Sequence, residues 1–260
     1  MDSQLSSSSF HNLSDRFQHC IENLTCYFQS HPPTDLSSYA RFKLASVLVL
    51  LYEESGIIRV LLTTRSKALR THAGQTALPG GKVDDSDKDL FATAFREAHE
   101  EVGLPLDCPH VYTLGLLKPS ISIHKLIVTP VIAVLTRTEV LGRLKAAEGE
   151  VARIFSHPLE AILNPVQAAS EPLVSIGSED WPYETSYYNT SDSVVPMLSN
   201  TSYRMHRFRT MASPIKGLTA DILIKTAEIA FAKQTVYGRH APGQLQGFED
   251  VMRVLSITQE

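Results

Sequence analysis

The sequence predicts a domain of the α/β or α+β class, and three observations lead there. Leu44 to Tyr52 is an almost unbroken apolar run rich in valine and leucine, and Ile57 to Thr63 follows it after Glu53-Glu54-Ser55-Gly56. Such runs read as strands, the first buried on both faces, joined by a turn into a hairpin. The stretch LPGGKVDDSDKDLFATAFREAHEEVGL, from Leu78 to Leu104, then changes to helical spacing, with Phe91, Phe95, Ala98 and Val102 along one face. Val111 to Leu117 and Leu126 to Leu135 return as strand-like runs, and a second helical pattern follows near the end. Strands before a helix, strands after it and a closing helix imply a mixed sheet packed between helices.

Composition narrows the class of function. Of 260 residues, 43% are hydrophobic and 20% charged, an ordinary globular balance with room for one large domain or one with elaborations. The formal net charge of −4 and the lack of a basic face argue against a nucleic-acid partner. No apolar run approaches the roughly 18 residues of a membrane span. MDSQLSSSSF has neither the basic start nor the apolar core of a secretory signal, and Thr258-Gln259-Glu260 is not a peroxisomal Ser-Lys-Leu address. Cys20, Cys26 and Cys108 are scattered without metal-type spacing, which suits a reducing compartment.

The chain divides into an N-terminal extension (1–35), a main domain (36–235) and a tail (236–260). Ser3 to Ser9 is serine-rich and reads as disordered. Ser14 is an N-cap candidate for a short helix in which Phe17, Ile21, Leu24 and Phe28 recur, and His31-Pro32-Pro33 breaks it. After the hairpin, Leu61 to Gly81 gathers Arg65, Lys67, Arg70 and His72 with glycines at 74, 80 and 81. Glycines permit close approach of backbone to a ligand, although a solvated charged loop has the same composition. Pro130 suggests that the strand within Leu126 to Leu135 starts at or just after it. Glu150 is either an auxiliary base or metal contact, or a plain surface glutamate. The polar stretch 164–201 carries Trp181, Tyr183, Tyr187 and Tyr188, which either stack on a base or cover the sheet. Tyr203 to Phe208 reads as an edge strand, Thr219 as the cap of a closing helix with Ile222, Leu223, Thr226, Ala230 and Phe231, and the tail as a short helix or disorder.

The chemistry concentrates in Arg96-Glu97 and Glu100-Glu101. Glutamates at i, i+3 and i+4 share one helical edge, where like charges repel by about 0.2–0.5 kcal/mol per pair. A solvated helix face tolerates that repulsion, whereas a bound hard dication removes it, and oxygen ligands suit Mg²⁺ or Mn²⁺.

Taken with Gly80-Gly81, the spaced acid and Gly103-Leu104, the pattern R-E-x-x-E-E-x-G resembles the Nudix box of hydrolases that act on nucleoside-diphosphate-linked substrates. Gly81 to Arg96 spans fifteen positions, one more than the general box, and Asp87 stands in place of its early glutamate, so no role is assigned to Asp87. The preceding stretch LLTTRSKALRTHAGQTALPGG resembles the signature of coenzyme A diphosphatases, with Leu61, Leu62, Thr63, Ser66, Arg70, Gly74, Pro79, Gly80 and Gly81 in register. This resemblance implies an α/β/α sandwich with a mixed central sheet, 164–201 being an insertion. It also implies metal-dependent hydrolysis of the diphosphate of coenzyme A or its derivatives, giving 3′,5′-ADP and 4′-phosphopantetheine. Mg²⁺ or Mn²⁺ would be held by Glu97, Glu100, Glu101 and the carbonyl of Gly81. Arg96 would orient a glutamate, and Glu97 or Glu100 would be the base. Arg65, Lys67 and Arg70, with Gly74 and Gly80, would meet the substrate. Similar enzymes are peroxisomal or mitochondrial; the peroxisome is the compartment the resemblance favours, with cytoplasm or mitochondrion open. The rivals are a broader nucleotide hydrolase and an inactive binding module, the latter disfavoured by the intact Arg96, Glu97, Glu100 and Glu101.

Overall fold

The amphipathic segment after Ser14 and the apolar hairpin that follows share one core. In the computed structural model, which describes residues 10–257, α1 (Asp15–Ser30) starts where Ser14 Oγ accepts from Phe17 N at 3.2 Å. Ser3 to Ser9 and Thr258-Gln259-Glu260 lie outside the described residues. β1 (Leu44–Glu54) and β2 (Ile57–Arg65) pair only from Leu51 to Glu54 against Ile57 to Val60, so the hairpin opens into a fork. The chain returns into that fork: β3 (Thr76–Ala77) lies on Thr63 and Thr64, and β4 (Gly80–Lys82) on Ala45 to Val47. Between them the Pro79 carbonyl accepts from Leu48 N at 2.8 Å. Gly80-Gly81 is thereby threaded into the middle of the sheet.

α2 (Leu90–Val102) follows, then β5 (Val111–Leu116), β6 (Ser120–Ile121), β7 (Ile127–Leu135) and β8 (Val151–Pro158). β7 runs parallel to β1 while β5 and β6 lie antiparallel on its other edge and β8 closes the far edge of β2, so the sheet is mixed. Side chains alternate between its faces. Leu48, Leu50 and Tyr52 pack with Ala94, Ala98 and Val102 of α2. Val49, Leu51 and Ile132 pack on the other side with Phe17, Ile21 and Leu24 of α1. Burying each such leucine or valine contributes about 1.5–3 kcal/mol. No helix among the described residues is long and apolar enough to cross a membrane.

The remaining elements are β9 (Tyr188–Val195), β10 (Thr201–Phe208), β11 (Ile215–Lys216), α3 (Gly217–Phe231) and α4 (Phe248–Ile257). α3 lays Ile222, Leu223, Ala227 and Ala230 against the α1 side of the sheet, completing the α/β/α sandwich.

Three local expectations are corrected. The strand at Pro130 starts before it, at Ile127. The Pro130 carbonyl accepts from Leu117 N at 3.0 Å, so its nitrogen faces the same side, where β5 gives way to β6 and the ladder is interrupted. Tyr203 to Phe208 is central rather than an edge: β10 lies between β9 and β11 in a second, three-stranded sheet, because the 164–201 stretch supplies β9. Thr219 does not cap α3, which begins at Gly217 without a side-chain cap. Of the two readings left open for the aromatics of 164–201, Trp181 and Tyr188 take the packing one: Trp181 is wholly buried, its indole N–H donating to Thr185 O at 2.7 Å, and Tyr188 stacks on Tyr237.

Candidate functional site

α2 is delimited by local signals. Asp89 Oδ1 accepts from Ala92 N at 2.8 Å, and Gly103, at φ 70, ends the helix. The helix edge facing β4 then presents the glutamates at graded depth. The Glu101 side chain is 9% exposed, Glu97 18% and Glu100 52%. Gly80 N donates to Glu101 Oε2 at 3.2 Å, and Arg65 Nη1, at the end of β2, lies 3.6 Å from Glu101 Oε1. Burial pushes the Glu101 carboxyl up to about 7; the Gly80 N–H and Arg65 oppose the shift, whereas Glu97 and Glu150 add to it. Burial also raises Glu97, with Arg96 opposing.

Gly81 is seated against Glu97. A Cβ built on it would fall 2.4 Å from Glu97 Cδ and Oε1. Only glycine leaves this carboxylate room beside the backbone of β4.

Arg96 is the hub of the remaining contacts. Its Nη1 donates to Glu97 Oε1 at 2.9 Å and to Glu100 Oε2 at 3.1 Å, and Nη2 donates to Lys82 O at 3.0 Å. Its other edge forms a two-point pair with Asp87, Nε to Oδ1 at 2.9 Å and Nη2 to Oδ2 at 3.0 Å. Asp87, to which no role was assigned from sequence, is buried and also accepts from Asp84 N and Thr93 Oγ1. The loop holding it is tied down by Arg41, which donates to Asp84 O at 2.7 Å and Asp87 O at 2.8 Å. A charge-assisted chain therefore runs from Arg41 through the loop and Arg96 to Glu97 and Glu100. The one available sequence signal for Asp87 was an acid ahead of the helix, and nothing local marked Arg41.

The Arg96 guanidinium holds the Asp87 carboxyl down at about 2. A depressed acid contributes stability above its unfolded pKa and loses it as pH falls through the folded one. Asp87→Asn should therefore be less stable than the parent in urea unfolding at neutral pH. That difference should shrink as pH falls from 3.8 toward about 2. Affinity for an added dication should fall about 10- to 100-fold, since Arg96 orients the acids of the site.

The donor set fits a hard dication. Glu97 and Glu101 are both raised by burial, and their mutual repulsion adds to Glu101, which is the strain a bound dication relieves. Among the described residues no three His, Cys, Asp or Glu side chains already converge into a cage, and Glu97 and Glu100 are turned to Arg96.

The expected substrate residues divide. Arg65 lies at the carboxylates, and its Nε is buried without a hydrogen-bond partner. Gly80 is at the site through its N–H. Lys67 instead pairs with Glu179 of the 164–201 stretch at 3.3 Å. Arg70 is exposed and forms no hydrogen bond or ion pair with the described residues. Gly74, at φ 69, closes the loop by donating to Arg65 O at 3.1 Å. Glu150 has an exposed side chain, and its carbonyl accepts from Ser66 N at 2.7 Å.

A family model described as the NUDIX domain matches residues 43–175. The chain is 36% identical over 203 residues to "Nudix hydrolase 15, mitochondrial" of Arabidopsis thaliana, covering 77% of this chain and 63% of that protein. It is 32% identical over 203 residues to "Nudix hydrolase 22, chloroplastic" of the same plant, covering 78% and 60%. It is 45% identical over 104 residues to "Uncharacterized Nudix hydrolase NudL" of Citrobacter koseri, covering 40% and 52%. The chain thus spans less than two thirds of the length of each of these relatives.

Proposed function

The chain belongs to the NUDIX domain family, and from that footing we propose that it is a dication-dependent hydrolase of diphosphate linkages whose substrates are coenzyme A and its derivatives. The observation that carries the reading is the buried Glu101 beside Glu97, Gly81 and the partly unpaired guanidinium of Arg65. Glu97, Glu100, Glu101 and the Gly81 carbonyl are the groups that would hold Mg²⁺ or Mn²⁺. Such an ion neutralises phosphate oxygens and lowers the pKa of a bound water.

The chain's own residues do the rest. Glu97, whose proton affinity burial raises toward working pH, is placed to take the proton of the attacking water, with Glu100 as the other carboxylate able to do so. Arg96, pinned by Asp87, positions both. Water adds its oxygen to one phosphorus, the bridging P–O bond breaks, and the products are 3′,5′-ADP and 4′-phosphopantetheine or its acyl form. The spare Arg65 donors suit the diphosphate, and the unpaired Arg70 suits a further phosphate such as the 3′-phosphate of coenzyme A. Lys67 enters only if Glu179 releases it. The resemblance favours the peroxisome over cytoplasm or mitochondrion; the two plant relatives bear mitochondrial and chloroplastic in their names.

The test is an Mg²⁺-dependent assay on coenzyme A, ADP-ribose and 8-oxo-dGTP with product identification. Coenzyme A should have the highest kcat/KM. Preference for either other substrate would replace this reading with a broader nucleotide hydrolase, and no turnover with any would favour a binding module. Arg70→Ala should raise KM for coenzyme A about tenfold, the loss of one charged hydrogen bond, and leave ADP-ribose unchanged. An equal loss on both would remove Arg70 from the 3′-phosphate.

A further inference from the structure

Two histidines from separate turns meet outside the carboxylate set. His72 belongs to the loop between β2 and β3, and His124 to the turn between β6 and β7. Their Nε2 atoms stand 3.1 Å apart, with centroids at 5.0 Å and ring planes at 75°. His72 Nδ1 lies 3.2 Å from Gln75 Oε1. A carboxamide oxygen only accepts, so Nδ1 carries the proton and Nε2 offers its lone pair toward His124. An imidazole whose far nitrogen is held by an amide oxygen is the arrangement of a metal-ligating histidine.

A hydrogen bond between neutral imidazoles also gives such a distance, but in this exposed place it contributes no more than about 1 kcal/mol. The His72 backbone, at φ 54, costs a comparable amount for a non-glycine residue. Two imidazole nitrogens bound to one dication at about 2.0–2.1 Å each stand about 3 Å apart in tetrahedral or octahedral geometry.

We infer that His72 and His124 form a two-histidine site for a borderline transition-metal dication of the Zn²⁺ and Ni²⁺ class, separate from the carboxylate site. No third His, Cys, Asp or Glu joins the pair among the described residues, so water fills the other positions and binding is weaker than at a closed structural zinc site. The two sites sort metals by chemistry: carboxylates take Mg²⁺, while imidazole nitrogens prefer nickel, copper and zinc. Occupancy ties the loop that carries Lys67 and Arg70 to the β6–β7 turn. The binding claim does not rest on the hydrolase reading, because its readout involves no turnover.

The experiment titrates Ni²⁺ into the untagged full chain by calorimetry, with Mg²⁺ present in excess. One Ni²⁺ site is expected. Its affinity should fall about tenfold or more in His72→Asn and in His124→Asn, and about tenfold in Gln75→Ala, which keeps both imidazoles. Ni²⁺ should also slow trypsin cleavage after Arg70 in the parent and not in either histidine variant. Absence of Mg²⁺-resistant Ni²⁺ binding in the parent, or unchanged affinity in either histidine variant, would overturn the site and leave the pair as a hydrogen bond.

Discussion

Glu101→Gln is expected to give a folded protein with Mg²⁺-dependent turnover reduced roughly a thousandfold, the equivalent of losing several kcal/mol of charge stabilisation. Glutamine keeps the oxygen that accepts from Gly80 N–H, so the α2–β4 contact survives. It removes the charge that a dication requires. The sign of the pH effect in metal-free protein is fixed by the raised carboxyl. Burial lifts Glu101 from 4.5 to about 7, so between these values the folded state binds more protons than the unfolded one. Stability of the parent should then decline as pH rises through that window. The variant should lack this component of the decline and gain less melting temperature from added Mg²⁺. Calorimetric melting with and without Mg²⁺, alongside the assay, checks both; substantial activity in the variant would mean that the metal has been assigned to the wrong group.

The neighbouring glycines should fail in opposite ways. A Cβ on Gly80 would fall 2.4 Å from Ser46 O and 2.6 Å from Val47 Cα, both backbone atoms of β1. Neither can yield without parting β4 from the sheet, so Gly80→Ala should cost about 3 kcal/mol or more of stability in urea unfolding. A Cβ on Gly81 meets the Glu97 carboxyl, the free end of a flexible side chain. Gly81→Ala should melt within a few degrees of the parent while kcat falls about 100-fold, because the displaced group is the proposed base and ligand. Equal melting temperatures for the two variants would contradict the threading of Gly80 through the fork.

Much of this was legible in the chain because it is written in short-range periodicity. The spacing of Glu97, Glu100 and Glu101 puts them on one helical edge in any helix, and Gly103-Leu104 marks where that helix closes. The Leu44 to Tyr52 run reads as an inner strand, and Ser14 with Phe17, Ile21 and Leu24 marks α1. The α/β or α+β class and the shared edge of the three glutamates follow from geometry that repeats every two or 3.6 residues, whereas the sandwich and the glutamates' role as a site are what the family resemblance implies.

What distance in sequence separates, sequence could not order. Asp87 matters because the 82–89 loop folds back over Arg96, held by Arg41 from before β1. Lys67 is a free cation in the sequence and an ion-paired one in the fold, since Glu179 arrives from the 164–201 stretch. Pro130 is tolerated within a central strand because of where the neighbouring strand breaks, and β10 is central because β9 arrives from the 164–201 stretch. The depth of each glutamate, and hence which carboxylate burial raises, depends on packing against β4 and β2. Spacing along a helix places charges in a row; the segments that fold over that row determine which of them lose water, and it is depth, with Glu101 buried and Glu100 exposed, that separates the two.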